Sequence, residues 1–235
     1  MQVRARKRWE AMPPRGAVVR VGAGRGFVVQ GERDRLIVTA AHCLPEFPPC
    51  ASFSTLEERT YPSLVAPLGS RLEIWAECLF ADPIGDIAIL GPPDGQEMSD
   101  EYEAYCALLD EINPLFIRSA PLKSAARLLS LDGRWVKCKV ERLGFKGPLW
   151  ITEGAEAIVG GMSGSPILAD DGLSAIGVVC VGTFHDGAPA KHSGPNPSLT
   201  RNLPGWVLAR RAKQPSRFGL EFDQFGLLRR APKEK

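Results

Sequence analysis

Three short segments restrict this chain more than its composition does: Thr39-Ala40-Ala41-His42-Cys43, Gly85-Asp86-Ile87-Ala88-Ile89-Leu90 and Gly161-Met162-Ser163-Gly164-Ser165-Pro166. They supply a histidine, an aspartate and a serine in that order, each far from the others in sequence. A Ser-His-Asp triad would require a fold in which all three converge. The chemistry explains the residue types. An imidazole takes the serine proton, a carboxylate holds the imidazole's tautomer, and backbone N–H groups receive the developing oxyanion.

Between these segments the chain reads as short strands and turns. Its 235 residues suffice for one large or two small domains sharing a core, and 24 Gly with 20 Pro favour turns over long helices. Residues 17–21 are β-rich, 22–26 read as a flexible turn, and 27–30 and 36–39 resume as strands. Apolar segments at 71–80 and 86–90 follow, and Gly91-Pro92-Pro93-Asp94-Gly95 closes the first half. The clearest helix spans 99–112: Ser99 as cap, Asp100, Glu101 and Glu103 in the first turn, and Tyr105, Leu108, Leu109 and Ile112 at helical spacing. Strands return at 134–140, 148–152, 166–169 and 175–181, and Pro204 opens a short helix over 204–212. The organisation is a basic arm over 1–15, a β-barrel over 16–97, a linker helix over 98–114, a second β-barrel over 115–203, and a helix with a basic tail over 204–235.

A net charge of +2 gives no bulk electrostatic case for a nucleic acid or membrane partner. Arg4, Arg6, Lys7 and Arg8 crowd one end, and Arg210, Arg211, Lys213, Arg217, Arg229, Arg230, Lys233 and Lys235 the other; these read as solvated tails. No apolar run suits a secretory signal or approaches the roughly 18 residues of a membrane span, so a cytoplasmic location is expected. Six scattered cysteines without a CxxC pair, and three histidines, point to a reduced protein with no metal site and no cofactor. Cys43, Cys138 and Cys180 read as buried packing thiols, and His185 and His192 as solvated loop residues. Gly22-Ala23-Gly24-Arg25-Gly26 looks like a dinucleotide loop but opens no helix.

Taken together, the three motifs resemble those of trypsin-like (chymotrypsin-fold) serine proteases, with a flavour of the bacterial branch that includes HtrA-type and glutamyl-endopeptidase-like enzymes, over roughly residues 16 to 205. The resemblance implies an all-β fold of two six-stranded antiparallel β-barrels with a linker helix and a short C-terminal helix. It implies His42 as general base and then acid, Asp86 as its orienting carboxylate, and Ser163, the serine followed by Gly and a small residue before Pro, as nucleophile in preference to Ser165. Gly161 and Ser163 would supply the oxyanion N–H groups. Cys180, Val181 and Gly182 would pair with the substrate main chain. The pocket floor falls at Ala157, followed by Ile158; with no aspartate there, a small or medium apolar side chain suits the pocket better than Arg or Lys.

Two departures matter. Cys43 lacks the upstream cysteine that pairs with it in animal digestive relatives, and Met162 stands where zymogens of the family carry an aspartate. Activation by insertion of a cleaved N-terminus is therefore not expected, and a regulatory protein partner takes its place as the gate. The implied activity is a serine endopeptidase acting on polypeptides. A protease-fold binding or chaperone module without turnover, occluded by a loop such as 61–70, and an esterase-type acyl hydrolase both stay open.

Overall fold

The Val- and Ile-rich runs of the first half become strands of a barrel that closes on itself. The computed structural model describes residues 15–31, 34–49, 55–144, 147–180, 184–185, 188–208, 220–222 and 228–230. Strands β1 (Val18–Val21), β2 (Gly24–Gln30), β3 (Arg35–Thr39), β4 (Thr60–Pro67), β5 (Ile74–Asp82) and β6 (Ile87–Gly91) bond in the order β1-β2-β3-β6-β5-β4, and β4 returns to β1 through Val65 opposite Val21. All of β6 is buried. The core around it also takes in Leu129, Leu168 and Val178 from the second half, so the two halves share apolar packing.

Two expectations change here. The flexible turn over 22–26 shrinks to Gly22 and Ala23, because β2 already starts at Gly24 and pairs Gly26 with Thr39. The segment 61–70 is no loop over the site: most of it is β4, with Leu64, Val65 and Ala66 buried. Pro62 and Ser63, the latter at φ +50°, break the alternation that would have marked the strand.

A one-turn helix α1 (Leu56–Arg59) leads into β4, and α2 (Ser99–Asp110) follows the barrel. Asp100 and Glu101 complement the positive end of α2, but Ser99 is its first residue rather than its cap, a place taken by Met98. Tyr105 and Leu109 turn inward, and the Tyr105 hydroxyl donates to the Leu90 carbonyl at 3.1 Å. The helix is thus fastened to the barrel rather than being a bare tether.

In the second half the expected six-stranded barrel is not seen among the described residues. Strands β7 (Phe116–Ile117), β8 (Lys123–Leu129), β9 (Trp135–Arg142), β10 (Leu149–Gly154), β11 (Pro166–Ala169), β12 (Ser174–Val178) and, beyond a small ladder of β13 (Phe184–His185) with β14 (Ala188–Pro189), β15 (Ser193–Asn196) give a seven-stranded sheet ordered β15-β10-β9-β8-β11-β12-β7. Where β12 would meet the β15 segment there is only an isolated bridge, Gly177 opposite Ser198, and a Val178 N–H to Pro197 carbonyl bond of 3.3 Å. Pro195 and Pro197 have no N–H to donate, and among the described residues no continuous ladder joins β12 to β15.

Two four-residue helices, α3 (Leu199–Asn202) and α4 (Gly205–Leu208), follow. In the tail, β16 (Leu220–Phe222) pairs with β17 (Leu228–Arg230). The basic arm over 1–14, Cys50 and residues 209–219 lie outside the described residues. Among the described residues no helix is long and apolar enough to cross a membrane.

Candidate active site

Each triad candidate stands on a short segment next to a strand. β3 delivers the chain into a single 3-10 turn, Ala41–Cys43, in which Ala41 and Cys43 are buried while the side chain of His42 is 47% exposed. Asp86 ends the turn before β6. That turn is built by Asp82, whose Oδ1 accepts the N–H groups of Ile84 and Gly85, both at 2.9 Å. Asp86 has φ +50°, a left-handed conformation that aspartate tolerates better than most residues. Both its carboxylate oxygens then reach one residue: Oδ2 lies 2.7 Å from His42 Nδ1, and Oδ1 accepts the His42 backbone N–H at 3.0 Å. The pair fixes the ring, and an Nδ1–H donated to Asp86 leaves Nε2 to accept a proton.

Ser163 belongs to the second half, in the tight segment before β11. The segment is tied on several sides: the Arg25 N–H donates to the Ser163 carbonyl at 2.8 Å, the Gly164 N–H to the Val179 carbonyl at 2.7 Å, and the Ser165 N–H to the Met162 carbonyl at 3.0 Å. Gly164 has φ +81°, and a Cβ there would fall 1.7 Å from the Arg25 carbonyl oxygen, so only glycine fits where the halves meet. Met162 is buried and anchors the segment in the second core. Gly161 has φ +85°, and neither its N–H nor that of Ser163 meets an acceptor among the described residues. Two donors are thereby left for a developing oxyanion. Ser165 is fully buried, whereas Ser163 is only half-buried.

The serine and the imidazole are not joined. The Ser163 hydroxyl donates to the Cys180 carbonyl at 3.2 Å, and among the described residues no hydrogen bond links Ser163 to His42. Cys180 connects the halves instead. Its thiol donates to the Asp86 carbonyl at 3.1 Å and its N–H to Asn196 Oδ1 at 2.9 Å. Burial, with Asp86 nearby, pushes the Cys180 thiol well up, and burial raises Cys43 too; both stay neutral packing groups rather than nucleophiles. Ala157 is half-buried, and Ile158 lies within the second core with its N–H donating to the Ala190 carbonyl at 2.9 Å. Val181 and Gly182 lie outside the described residues.

The chain is similar to the Rv3671c protease in its inactive form with a TM-score of 0.51, at 17% identity, over 85% of this chain and 90% of that one. The likeness is one of fold. Weaker similarities are to a structure from work on the intrinsically disordered Sesbania mosaic virus VPg protein (TM-score 0.49, 15% identity, 84% of this chain and 92% of that one). Another is to the HtrA-type protease AlgW with a decapeptide (TM-score 0.45, 14% identity, 76% of this chain and 49% of that one). No protein-family model matches the sequence, and no curated protein does.

Two residues that hold the site escaped the sequence reading. Arg25 was absorbed into a glycine-rich turn, yet Gly24-Arg25-Gly26 runs straight into Phe27-Val28-Val29. A charge in such a strand register calls for buried partners. Asn196 stands between two prolines, and its side chain supplies the bond to Cys180 that a backbone ladder would otherwise give.

Proposed function

We propose that the chain is a serine endopeptidase in which Ser163 attacks the scissile carbonyl, His42 takes and returns the proton, and Asp86 holds the imidazole. The observation that carries this reading is the His42–Asp86 pair, bonded at 2.7 and 3.0 Å within a chymotrypsin-like fold. The N–H groups of Gly161 and Ser163 receive the oxyanion, and a single such donor contributes about 10²–10³ in kcat in well-studied proteases. Ala157 and Ile158 form the pocket floor, where an apolar side chain enters.

A polypeptide pairs with the segment Cys180, Val181 and Gly182 by strand addition. Its N–H competes for the Cys180 carbonyl that now holds the Ser163 hydroxyl. Release of that hydroxyl lets it rotate toward His42 Nε2, the arrangement proton transfer needs. Substrate binding would then complete the triad, and a regulatory protein partner could act on the same segment.

The test is labelling of the purified chain by a fluorophosphonate probe, beside Ser163→Ala and Ser165→Ala, followed by digestion of casein. Labelling lost in Ser163→Ala and retained in Ser165→Ala, with casein cleaved, is the expected result. Labelling with ester but no peptide hydrolysis would move the reading to an esterase-type acyl hydrolase. A folded wild type that takes no label would exclude an activated serine.

A further inference from the structure

We propose that Arg25 is a positioning residue for the oxyanion hole, acting across the junction of the two halves; the inference rests on the reading of Ser163 as nucleophile. Arg25 belongs to β2 of the first barrel and is 6% exposed. Its guanidinium meets no carboxylate among the described residues. It donates instead to three successive carbonyls of the second half: Nη1 to Leu129 at 2.9 Å and Ser130 at 3.0 Å, and Nη2 to Leu131 at 3.1 Å. A charge buried without a counter-ion is costly, and burial lowers the Arg25 pKa accordingly. An apolar side chain could fill this space without that cost. What the planar fork adds is a fixed direction for three consecutive peptide units.

Those units begin the turn between β8 and β9, and the turn backs onto the oxyanion segment. Leu131 is 54% exposed, yet its Cδ2 would lie 3.4 Å from a Cβ placed on Gly161, so its side chain rests beside the glycine whose N–H is the first oxyanion donor. The turn is stiff. The Ser130 N–H donates to the Arg134 carbonyl at 2.9 Å, and Arg134 reaches Glu156, beside the pocket-floor residue Ala157, at 2.9 Å. The backbone of Arg25 grips the second donor residue, through its N–H on the Ser163 carbonyl at 2.8 Å, while its own carbonyl accepts the Thr39 hydroxyl at 2.6 Å. One residue of the first barrel therefore holds both oxyanion donors, Ser163 through its main chain and Gly161 through the 129–131 turn.

The experiment compares wild type, Arg25→Lys and Leu131→Ala in two assays: the second-order rate of Ser163 phosphonylation by a fluorophosphonate, and kcat and KM for p-nitrophenyl butyrate. Lysine keeps the charge but cannot span three carbonyls, so Arg25→Lys should lose about tenfold or more in phosphonylation rate and in kcat while KM stays within twofold; displaced oxyanion donors have effects of this order or larger. Leu131→Ala, at an exposed position that the fold tolerates, should lose about threefold or more in the same two quantities with an unchanged melting temperature. A role confined to holding the halves together would lower the melting temperature of Arg25→Lys and leave kcat of the folded fraction, and all of Leu131→Ala, at wild-type values. That outcome overturns the proposal while the labelled wild type keeps Ser163 as nucleophile. If Arg25→Lys does not fold, Leu131→Ala decides alone. A wild type that takes no label overturns both readings.

Discussion

In the first half the ladder closes on itself, and the His42–Asp86 pair stands assembled, with two hydrogen bonds from one carboxylate to one residue. In the second, β12 meets the β15 segment only through the isolated bridge of Gly177 with Ser198 among the described residues, and the Ser163 hydroxyl donates to a backbone carbonyl. The proposed acid-base pair is carried by the closed barrel, whereas the segment of the proposed nucleophile is held by backbone bonds to Arg25 and Val179 and leans on neighbours fixed by side chains, Cys180 by Asn196 and the 129–131 turn by Arg25. On the proposed reading, readiness for chemistry is set in the second half. Segments with fewer ladder bonds open at lower free energy than closed sheets, and such segments are where gating is usually found.

The contrast can be tested from either side. Ser163→Ala removes the nucleophile and should lower kcat by about 10⁶-fold, as in triads of this kind, with the fold intact; a peptidase assay with a melting curve checks it. Asp86→Asn should lower kcat by about 10⁴-fold, because an amide that donates to Nδ1 favours the wrong tautomer. Strong residual turnover in that variant would show that the first half is not the prepared one. Asn196→Ala leaves the buried Cys180 N–H without its acceptor and should cost about 1–3 kcal/mol of stability. Urea unfolding measures that loss, and slower Ser163 phosphonylation should accompany it, since Cys180 carries the Ser163 contact.

The smallest effect is at Asp132. Its contacts with Ser130 and then Arg134 hold the carboxyl at about 2, below the ordinary carboxylate range. A depressed folded-state value means the stabilisation is fully present above the unfolded value near 4 and is lost as pH falls through about 2. Asp132→Asn should therefore narrow the difference in melting temperature between pH 6 and pH 3 slightly. An unchanged difference would mean that the 129–134 turn owes nothing to this carboxylate.

How much was legible in the chain depended on how local each cause is. The His42 and Asp86 segments each sit on a turn beside a regular apolar strand, so residue types and spacing pointed to them, and the choice of Ser163 over the buried Ser165 agrees with the exposure of the two side chains. β4 was hidden because Pro62 and the left-handed Ser63 interrupt its alternation. The second barrel is what the family resemblance implies, together with two β-rich halves of similar size. Whether such strands close is a matter of distant pairing, and among the described residues β12 and the β15 segment share one bridge, beside two prolines that cannot donate. Arg25 was invisible for a related reason: its partners lie in the other half, and no local pattern announces three carbonyls that need a fork. The direction of the Ser163 hydroxyl, toward the Cys180 carbonyl, also lay beyond the sequence.

The most direct measurement is a crystal structure of the chain after reaction with a fluorophosphonate. The expected adduct has phosphorus on Ser163 Oγ, one phosphonyl oxygen between the N–H groups of Gly161 and Ser163, and the His42–Asp86 pair unmoved at 2.7 Å. Phosphorus on another residue, or a phosphonyl oxygen that meets neither N–H group, would be incompatible with Ser163 as the nucleophile of a prepared His42–Asp86 pair.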